Sequence, residues 1–157
     1  GAIDFKDILT GGEPVPVCRI ENMDTDIAIL QLGGGTTGVP KAAMISVRSF
    51  GLAVAVTCNW YSLTPADISL GVAPFFHIMG LQVIMAPSLV AGGTLLIMSR
   101  FVPKIIAQAI TERRCTVWVA APTMLTALVN MRDVETFDFS SLRVIVTGGS
   151  PIPLSLQ

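Results

Sequence analysis

Nine residues, Gly33-Gly34-Gly35-Thr36-Thr37-Gly38-Val39-Pro40-Lys41, lie between two apolar runs and carry more information than any other part of this chain. Their glycines let the backbone turn tightly and bring N–H groups close to an anion. The threonine hydroxyls can donate hydrogen bonds to phosphate oxygens, and the lysine supplies positive charge. The stretch therefore predicts a phosphate-binding loop, and the ligand that it implies is a nucleotide.

The position of the lysine separates this loop from the Walker pattern, G-x-x-x-x-G-K-[ST]. Lys41 stands three places after Gly38 rather than directly after it, and Ala42 occupies the place of the magnesium-binding Ser or Thr. A P-loop NTPase is therefore disfavoured. A glycine-rich turn without a ligand is the plainer alternative, but such a turn needs only one or two glycines.

The loop resembles the signature of the adenylate-forming enzymes, roughly [ST]-[SG]-G-[ST]-T-G-x-P-K-G, and is most like that of acyl-CoA synthetases and long-chain fatty-acid–CoA ligases. Gly33 and Ala42 depart from the pattern. Gly33 removes one hydroxyl donor and Ala42 adds a methyl group, so their effect on ATP affinity is left open. The resemblance implies that the ATP phosphates are bound by Gly34, Gly35, Thr36, Thr37, Gly38 and Lys41.

Two later segments resemble further motifs of the same family, in the family's order. The first, Pro74 to Gly80, reads PFFHIMG, and the second, Thr147 to Pro151, reads TGGSP. The resemblance implies that the first segment forms an acyl pocket or gate, through Phe76, His77, Met79 and Gly80. It implies that the second forms a loop against the adenine and the acyl group, through Gly148, Gly149, Ser150 and Pro151.

His77 is the only histidine of the chain. A lone histidine among aromatic and apolar residues is more often a core side chain than a functional one. Within the resemblance, we expect His77 to gate the pocket and orient the acid. It is not expected to act as a general acid or base, because a carboxylate that attacks the α-phosphate of ATP has no proton to lose.

The composition is unusually apolar, with 52% hydrophobic and 13% charged residues, against about 25% charged in typical soluble domains. No Asp, Glu, Lys or Arg occurs between Asp67 and Arg100, a length that could span a bilayer. Pro74, Pro87 and several glycines interrupt this run, so a buried strand–helix–strand unit is favoured. We expect a segment of a larger protein whose sheet is covered on both faces.

Apolar runs alternate with helical patterns along the chain, which predicts an α/β fold with a layered, largely parallel sheet and flanking helices. The predicted strands are 27–32, 42–45, 68–73, 94–98, 116–120 and 143–147. The predicted helices are 47–61, 78–90, 102–114 and 122–131. Ser46 is expected to cap the first helix, and Pro103 and Pro122 to lie in the first turns of the last two.

The resemblance divides the chain into a lead-in segment, 1–23, and the central part of an AMP-binding N-terminal domain, 24–157, which is incomplete and lacks the C-terminal domain. It implies a two-step reaction in the parent enzyme, in which a carboxylic acid, here a fatty acid, reacts with ATP and then with CoA, with Mg²⁺ as the accompanying ion. The sequence offers no complete catalytic set and no metal-ligand cluster of its own. These residues alone are therefore expected to be inactive.

Several alternatives stay open. Within the family they are an aryl-CoA ligase, a luciferase-like enzyme and an amino-acid adenylation enzyme. From another class, the chain could be a non-catalytic nucleotide-binding or scaffold module. A net charge of −1 gives no basic surface for nucleic acid, and an odd number of cysteines, three, favours a reducing cytoplasmic setting. Peripheral membrane contact and homo-oligomer formation are further expectations that the sequence does not decide.

Overall fold

The computed structural model describes residues 19–33 and 41–152. Its first unit is an antiparallel hairpin of β1 (Ile27–Gly33) and β2 (Lys41–Ser46), in which Gly33 lies opposite Lys41. The prediction had placed both strands in one largely parallel sheet, and this is wrong for them. Only residues 34–40 separate the two strands, too few for the crossover that parallel pairing requires.

The second unit is the predicted parallel sheet. It contains β3 (Ile68–Gly71), β4 (Thr94–Ile97), β5 (Val117–Ala120) and β6 (Val144–Thr147), in the order β4-β3-β5-β6. All three neighbouring pairs run parallel. Each strand lies within a segment predicted from an apolar run, and the α/β fold class is confirmed.

Helices occupy the predicted segments between the strands. They are α1 (Val47–Trp60), a π-helical segment (Met79–Met85) that continues into α2 (Ala86–Val90), α3 (Pro103–Arg113) and α4 (Pro122–Val129). A short 3₁₀ turn, Val134–Thr136, precedes β6. The hydroxyl of Ser46 accepts a hydrogen bond from the Ser49 N–H at 3.2 Å, which confirms the predicted cap.

The predicted helix 78–90 is not a single regular helix. Its first part, Met79–Met85, is π-helical, and regular α-helix begins only at Ala86. Pro87 lies in the first turn of α2 and has no N–H, so it interrupts the hydrogen-bond ladder that runs on from the π-helical segment, in which the Ala86 N–H donates to the Leu81 carbonyl. The change of helical type therefore falls at the proline, where the sequence predicted an interruption.

Both faces of the parallel sheet are covered, as expected. On one face Leu70 and Trp118 are fully buried against Ile106 and Ile110 of α3. On the other face Val117 and Val119 pack with Tyr61, Ala73 and Ile84. Successive side chains of β5 thus point to opposite cores, which is why its sequence, VWVA, is apolar throughout.

A hydrogen-bond network centred on Asp67 ties the sheet together where its strands begin, and we call it the Asp67 network. The Asp67 carboxylate is buried and accepts hydrogen bonds from Arg143, from the Thr116 hydroxyl at 2.7 Å and from the Thr64 backbone N–H at 2.8 Å. The guanidinium of Arg143 also donates to the carbonyls of Tyr61, at 2.6 Å, and Ser62, at 2.9 Å. One ion pair therefore joins the starts of β3, β5 and β6 to the end of α1.

The apolar stretch after Asp67 does not form a membrane span in the part of the chain that the structure describes. No helix there is both long enough and apolar enough to cross a bilayer.

Candidate functional site

The two later motif segments lie at the same edge of the parallel sheet. Segment 74–80 follows β3, and segment 148–151 follows β6. Only β5 separates these two strands in the sheet. Because parallel strands all end at one edge, the loops that follow β3 and β6 converge there, which is where ligands of open α/β sheets bind.

Gly80 fixes the path of the loop that follows β3. A Cβ atom at this buried glycine would lie 2.2 Å from the carbonyl oxygen of Pro74 and 2.8 Å from that of Ala73. Both atoms belong to the backbone and cannot swing away. The loop therefore folds back onto the start of the π-helical segment at a distance that only glycine permits.

Met79 and Gly149 bring the two segments into contact. Gly149 has a φ of +86°, and a Cβ built on it would lie 3.4 Å from the Met79 Cε. A Cβ on the neighbouring Gly148 would meet no protein atom within 4 Å. Gly149 thus serves the protein's own packing, whereas Gly148 borders open space.

His77 is exposed, which rules out a role as a core side chain. Its Nδ1 accepts a hydrogen bond from the Met79 backbone N–H at 3.1 Å. In the neutral ring, the proton must therefore sit on Nε2, which can donate to a ligand. The adjacent Phe76 side chain is 85% exposed and lies at the same surface.

The predicted phosphate loop joins the two strands of the hairpin. Lys41 is described; it is exposed and is the first residue of β2. The other predicted phosphate-binding residues lie outside the described residues: Gly34, Gly35, Thr36, Thr37 and Gly38. Their proposed role rests on the sequence alone.

Gln31 connects the hairpin to the segment that follows β3, and the sequence analysis did not single it out. Its side-chain amide donates to the Phe76 carbonyl at 3.2 Å and to the Leu32 carbonyl at 3.1 Å. Around it lies a groove of about 380 Å³ whose other lining residues are apolar: Ile29, Leu30, Leu32, Phe75, Phe76 and Leu81. The signal that could have found it is a single amide within the apolar run IAILQL.

The third segment offers one further polar group. The Thr147 hydroxyl, at the end of β6, is buried and has no hydrogen-bond partner within the described residues. A buried hydroxyl without a partner is costly, but this one is shielded from solvent and would meet a ligand only if the surrounding residues moved. Ser150 and Pro151, the last predicted site residues, are both exposed.

Chemically, this edge combines an apolar groove with one exposed polar donor, the Nε2–H of His77, while the cation of Lys41 lies on the neighbouring hairpin. Such a surface can hold the apolar body of an acid while it contacts anionic oxygens. Residues 19–33 and 41–152 contain no group of three or more His, Cys, Asp or Glu side chains that could hold a metal ion.

Comparisons with known proteins agree with this geometry. The family model described as AMP-binding enzyme matches residues 6–157. A long-chain-fatty-acid–CoA ligase of Bacillus subtilis is 30% identical over 134 residues, which cover 84% of this chain and 24% of the ligase. The 4-coumarate–CoA ligase 3 of Arabidopsis thaliana is also 30% identical, over 99% of this chain and 28% of that enzyme.

Among solved structures, ATP-bound MatB from Rhodopseudomonas palustris superimposes with a TM-score of 0.81 and 26% identity, over 94% of this chain and 29% of MatB. The chain spans about a quarter of the length of the curated relatives that it matches.

Proposed function

This chain belongs to the AMP-binding enzyme family, and we propose that the protein containing it activates a carboxylic acid with ATP and transfers the acyl group to CoA. In the first step a carboxylate oxygen attacks the α-phosphorus of ATP. A new P–O bond forms, the bond to pyrophosphate breaks, and acyl-AMP results. In the second step the CoA sulfur attacks the acyl carbon, the thiol proton is lost, and AMP leaves with the electron pair of the C–O bond.

The observation that carries this proposal is the convergence of the motif segments. Met79 contacts Gly149, and Gln31 donates to Phe76, so the segment that follows β3 touches both the hairpin and the loop that follows β6. A reaction between an acid and a nucleotide needs both reactants held within a few ångströms in a fixed orientation. Side chains from these three segments at one surface could supply that orientation.

We assign roles to the chain's own groups as follows. Lys41 would offset negative charge on the ATP phosphates, together with the loop formed by residues 34–38. His77 would donate from Nε2 to the acid and orient it, without exchanging a proton. The chain of Gly148 to Pro151 would lie against the adenine and the acyl group. Mg²⁺ is proposed as the ion that accompanies ATP.

The acid is proposed to be apolar, and a fatty acid in particular, because the groove beside Gln31 is lined by aliphatic and aromatic side chains. An aryl acid is the second candidate. Two of the lining residues, Phe75 and Phe76, are aromatic, and the 4-coumarate–CoA ligase matches at the same 30% identity as the fatty-acid ligase. We also propose a cytoplasmic location, where ATP and CoA are available.

The test is acid-dependent exchange of radiolabelled pyrophosphate into ATP, measured on the whole protein with a long-chain fatty acid, 4-coumarate, acetate and a mixture of amino acids. Exchange with the fatty acid supports the proposal, and exchange with 4-coumarate alone supports the aryl candidate. Lys41→Ala should raise the KM for ATP about tenfold, which is the loss of roughly 1.4 kcal/mol of charge-assisted binding. Lys104→Ala removes a cation that pairs with Asp133 on the surface and should leave the KM unchanged. Exchange with amino acids alone, or with none of the acids, would overturn the proposal.

A further inference from the structure

We propose that Gln31 is a positioning residue that holds the acid-binding segment, Pro74 to Gly80, against β1 of the hairpin; this inference rests on the proposed function. Gln31 lies in β1, two residues before Gly33, where the hairpin leads into the phosphate loop. Through its amide it reaches the Phe76 carbonyl, 45 residues away in the sequence. Among the described residues, this is the only hydrogen bond between the hairpin and segment 72–85.

The bond partners determine which way the amide points. Both neighbours of the Gln31 amide are backbone carbonyl oxygens, of Phe76 and Leu32, and these can only accept. The NH₂ group must therefore face them, because the amide oxygen cannot donate. The contact is directional, and an isosteric glutamate would replace two attractions by repulsion between oxygens.

The bond from Gln31 is the main directional contact across the groove beside it. The other residues that line this groove are apolar, and their side chains attract one another without fixing an orientation. The acceptor also matters, because Phe76 directly precedes His77. The His77 backbone N–H donates to the Pro74 carbonyl at 3.0 Å, and the Leu81 N–H donates to the His77 carbonyl at 3.0 Å. Gln31 thus bonds the carbonyl oxygen of the peptide that joins Phe76 to His77, and the N–H of the same peptide bonds Pro74.

Loss of the Gln31 bond should act on the rate of the step in which two separate reactants must be brought together. In adenylation the carboxylate and the α-phosphate must meet in line, and a displacement of about 1 Å can cost on the order of 100-fold in rate. In the second step the acyl group and the nucleotide are already one molecule. Loss of the Gln31 bond should therefore slow adenylation far more than thioester formation.

The experiment compares wild type, Gln31→Leu, Gln31→Glu and Gln108→Leu in the whole protein. Gln108 is the matched control, because within the described part of the chain its amide donates only to Glu112 on the same helix, at 2.9 Å. Four quantities are measured: the kcat of pyrophosphate exchange, the KM values for ATP and acid, the rate of CoA thioester formation from supplied acyl-AMP, and the Tm.

We expect both Gln31 variants to lower the kcat of exchange at least about tenfold, while KM values, thioester formation and Tm stay close to wild type. The kcat of exchange should be no higher for Gln31→Glu than for Gln31→Leu, although glutamate matches glutamine in shape. Gln108→Leu should behave like wild type.

Wild-type kcat in both Gln31 variants would overturn the inference. So would an equal loss in both half-reactions with a lowered Tm, because it would assign Gln31 a purely structural role. The proposed function fails differently, through absence of exchange in the wild-type protein itself, and the inference then fails with it.

Discussion

Arg143 donates two parallel hydrogen bonds to the carboxylate of Asp67, across 76 residues of sequence: Nε to Oδ1 at 2.8 Å and Nη2 to Oδ2 at 2.7 Å. Asp67 is almost wholly buried, with 5% of its surface exposed. A bidentate pair of this kind holds both groups in one geometry. Within the Asp67 network it fixes where β3 and β6 begin relative to each other.

Replacing Arg143 by Met should therefore lower the free energy of unfolding by about 3 kcal/mol, because it leaves a buried carboxylate without its cation. Urea denaturation of the purified chain measures this. Arg113→Met is the control, since Arg113 is exposed near the end of α3 and forms no hydrogen bond or ion pair within the described residues. Similar midpoints for the two variants would contradict a stabilising role for the pair.

Asp67 should also make the fold sensitive to acid. The Arg143 guanidinium, assisted by Thr116 and Thr64, holds the pKa of Asp67 well below its usual range. As the pH falls, the Asp67 carboxyl of the unfolded chain, with a pKa of about 3.9, binds a proton at a higher pH than that of the folded chain does. The stabilisation is therefore complete at neutral pH and is lost as the pH falls below about 4.

Denaturant titrations at a series of pH values test this, with Asp67→Asn as the variant. It should be less stable at neutral pH and should lose less stability on acidification than wild type. Asp138→Asn is the comparison, because hydrogen bonds from Ser140, and to a lesser extent from Arg114, also lower the pKa of Asp138, but at an exposed site that salt screens. If Asp67→Asn and wild type lost stability in parallel, Asp67 would not be the group that titrates.

Gly80→Ala should be among the most damaging small substitutions. Its Cβ would lie 2.2 Å from the Pro74 carbonyl oxygen, so the backbone would have to move, at a cost of about 3 kcal/mol. Gly51→Ala is the matched control within α1, where a Cβ meets nothing within 4 Å. It should raise stability by about 0.8 kcal/mol, because alanine favours helix over glycine. Thermal unfolding should show a lower Tm for Gly80→Ala and a higher Tm for Gly51→Ala. Equal changes in Tm would contradict the close approach of Gly80 to the Pro74 carbonyl.

Alanine substitutions at the two glycines of the loop that follows β6 should have different effects, one on stability and the other on ligand binding. Gly149→Ala forces a side chain onto a φ of +86° beside Met79 and should lower the free energy of unfolding by about 1 to 2 kcal/mol. Gly148→Ala meets no protein atom, so it should leave stability unchanged. If Gly148 borders the bound ligands, its added methyl group should instead raise the KM for ATP or acid. Denaturation and exchange kinetics on both variants separate the two effects.

Most elements could be predicted from the sequence because apolar runs and helix signals are local. The strand VWVA and the cap at Ser46 depend on neighbours within a few residues. The pairing of β1 with β2 could also have been deduced, since too few residues separate them for a crossover. The expectation of parallel pairing applied a rule that holds for strands joined by long connections to two strands joined by a short one.

The sequence could not predict which distant polar groups meet. In the sequence Asp67 marks only the start of the stretch without charged residues, and residue 143 only begins a predicted strand. Their pairing depends on the order of strands in the sheet, which local patterns do not encode. Gln31 stands out as a single amide within an apolar run, but its partner, the backbone carbonyl of Phe76, cannot be read from the sequence. The phosphate-binding role of residues 34–38 stays a prediction from the sequence.

The Asp67 network and the motif segments lie at opposite edges of the same sheet, separated by β3, whose four residues span roughly 13 Å. Apart from Gly80 and Gly149, whose close contacts hold the loops in place, the residues at the loop edge are therefore separate from those that align the strands. Substitutions at these other loop positions can alter the proposed ligand contacts while the ion pair at the opposite edge keeps the strands aligned. A lineage can vary them with little approach to the threshold of unfolding, which makes them the positions to diversify in directed evolution.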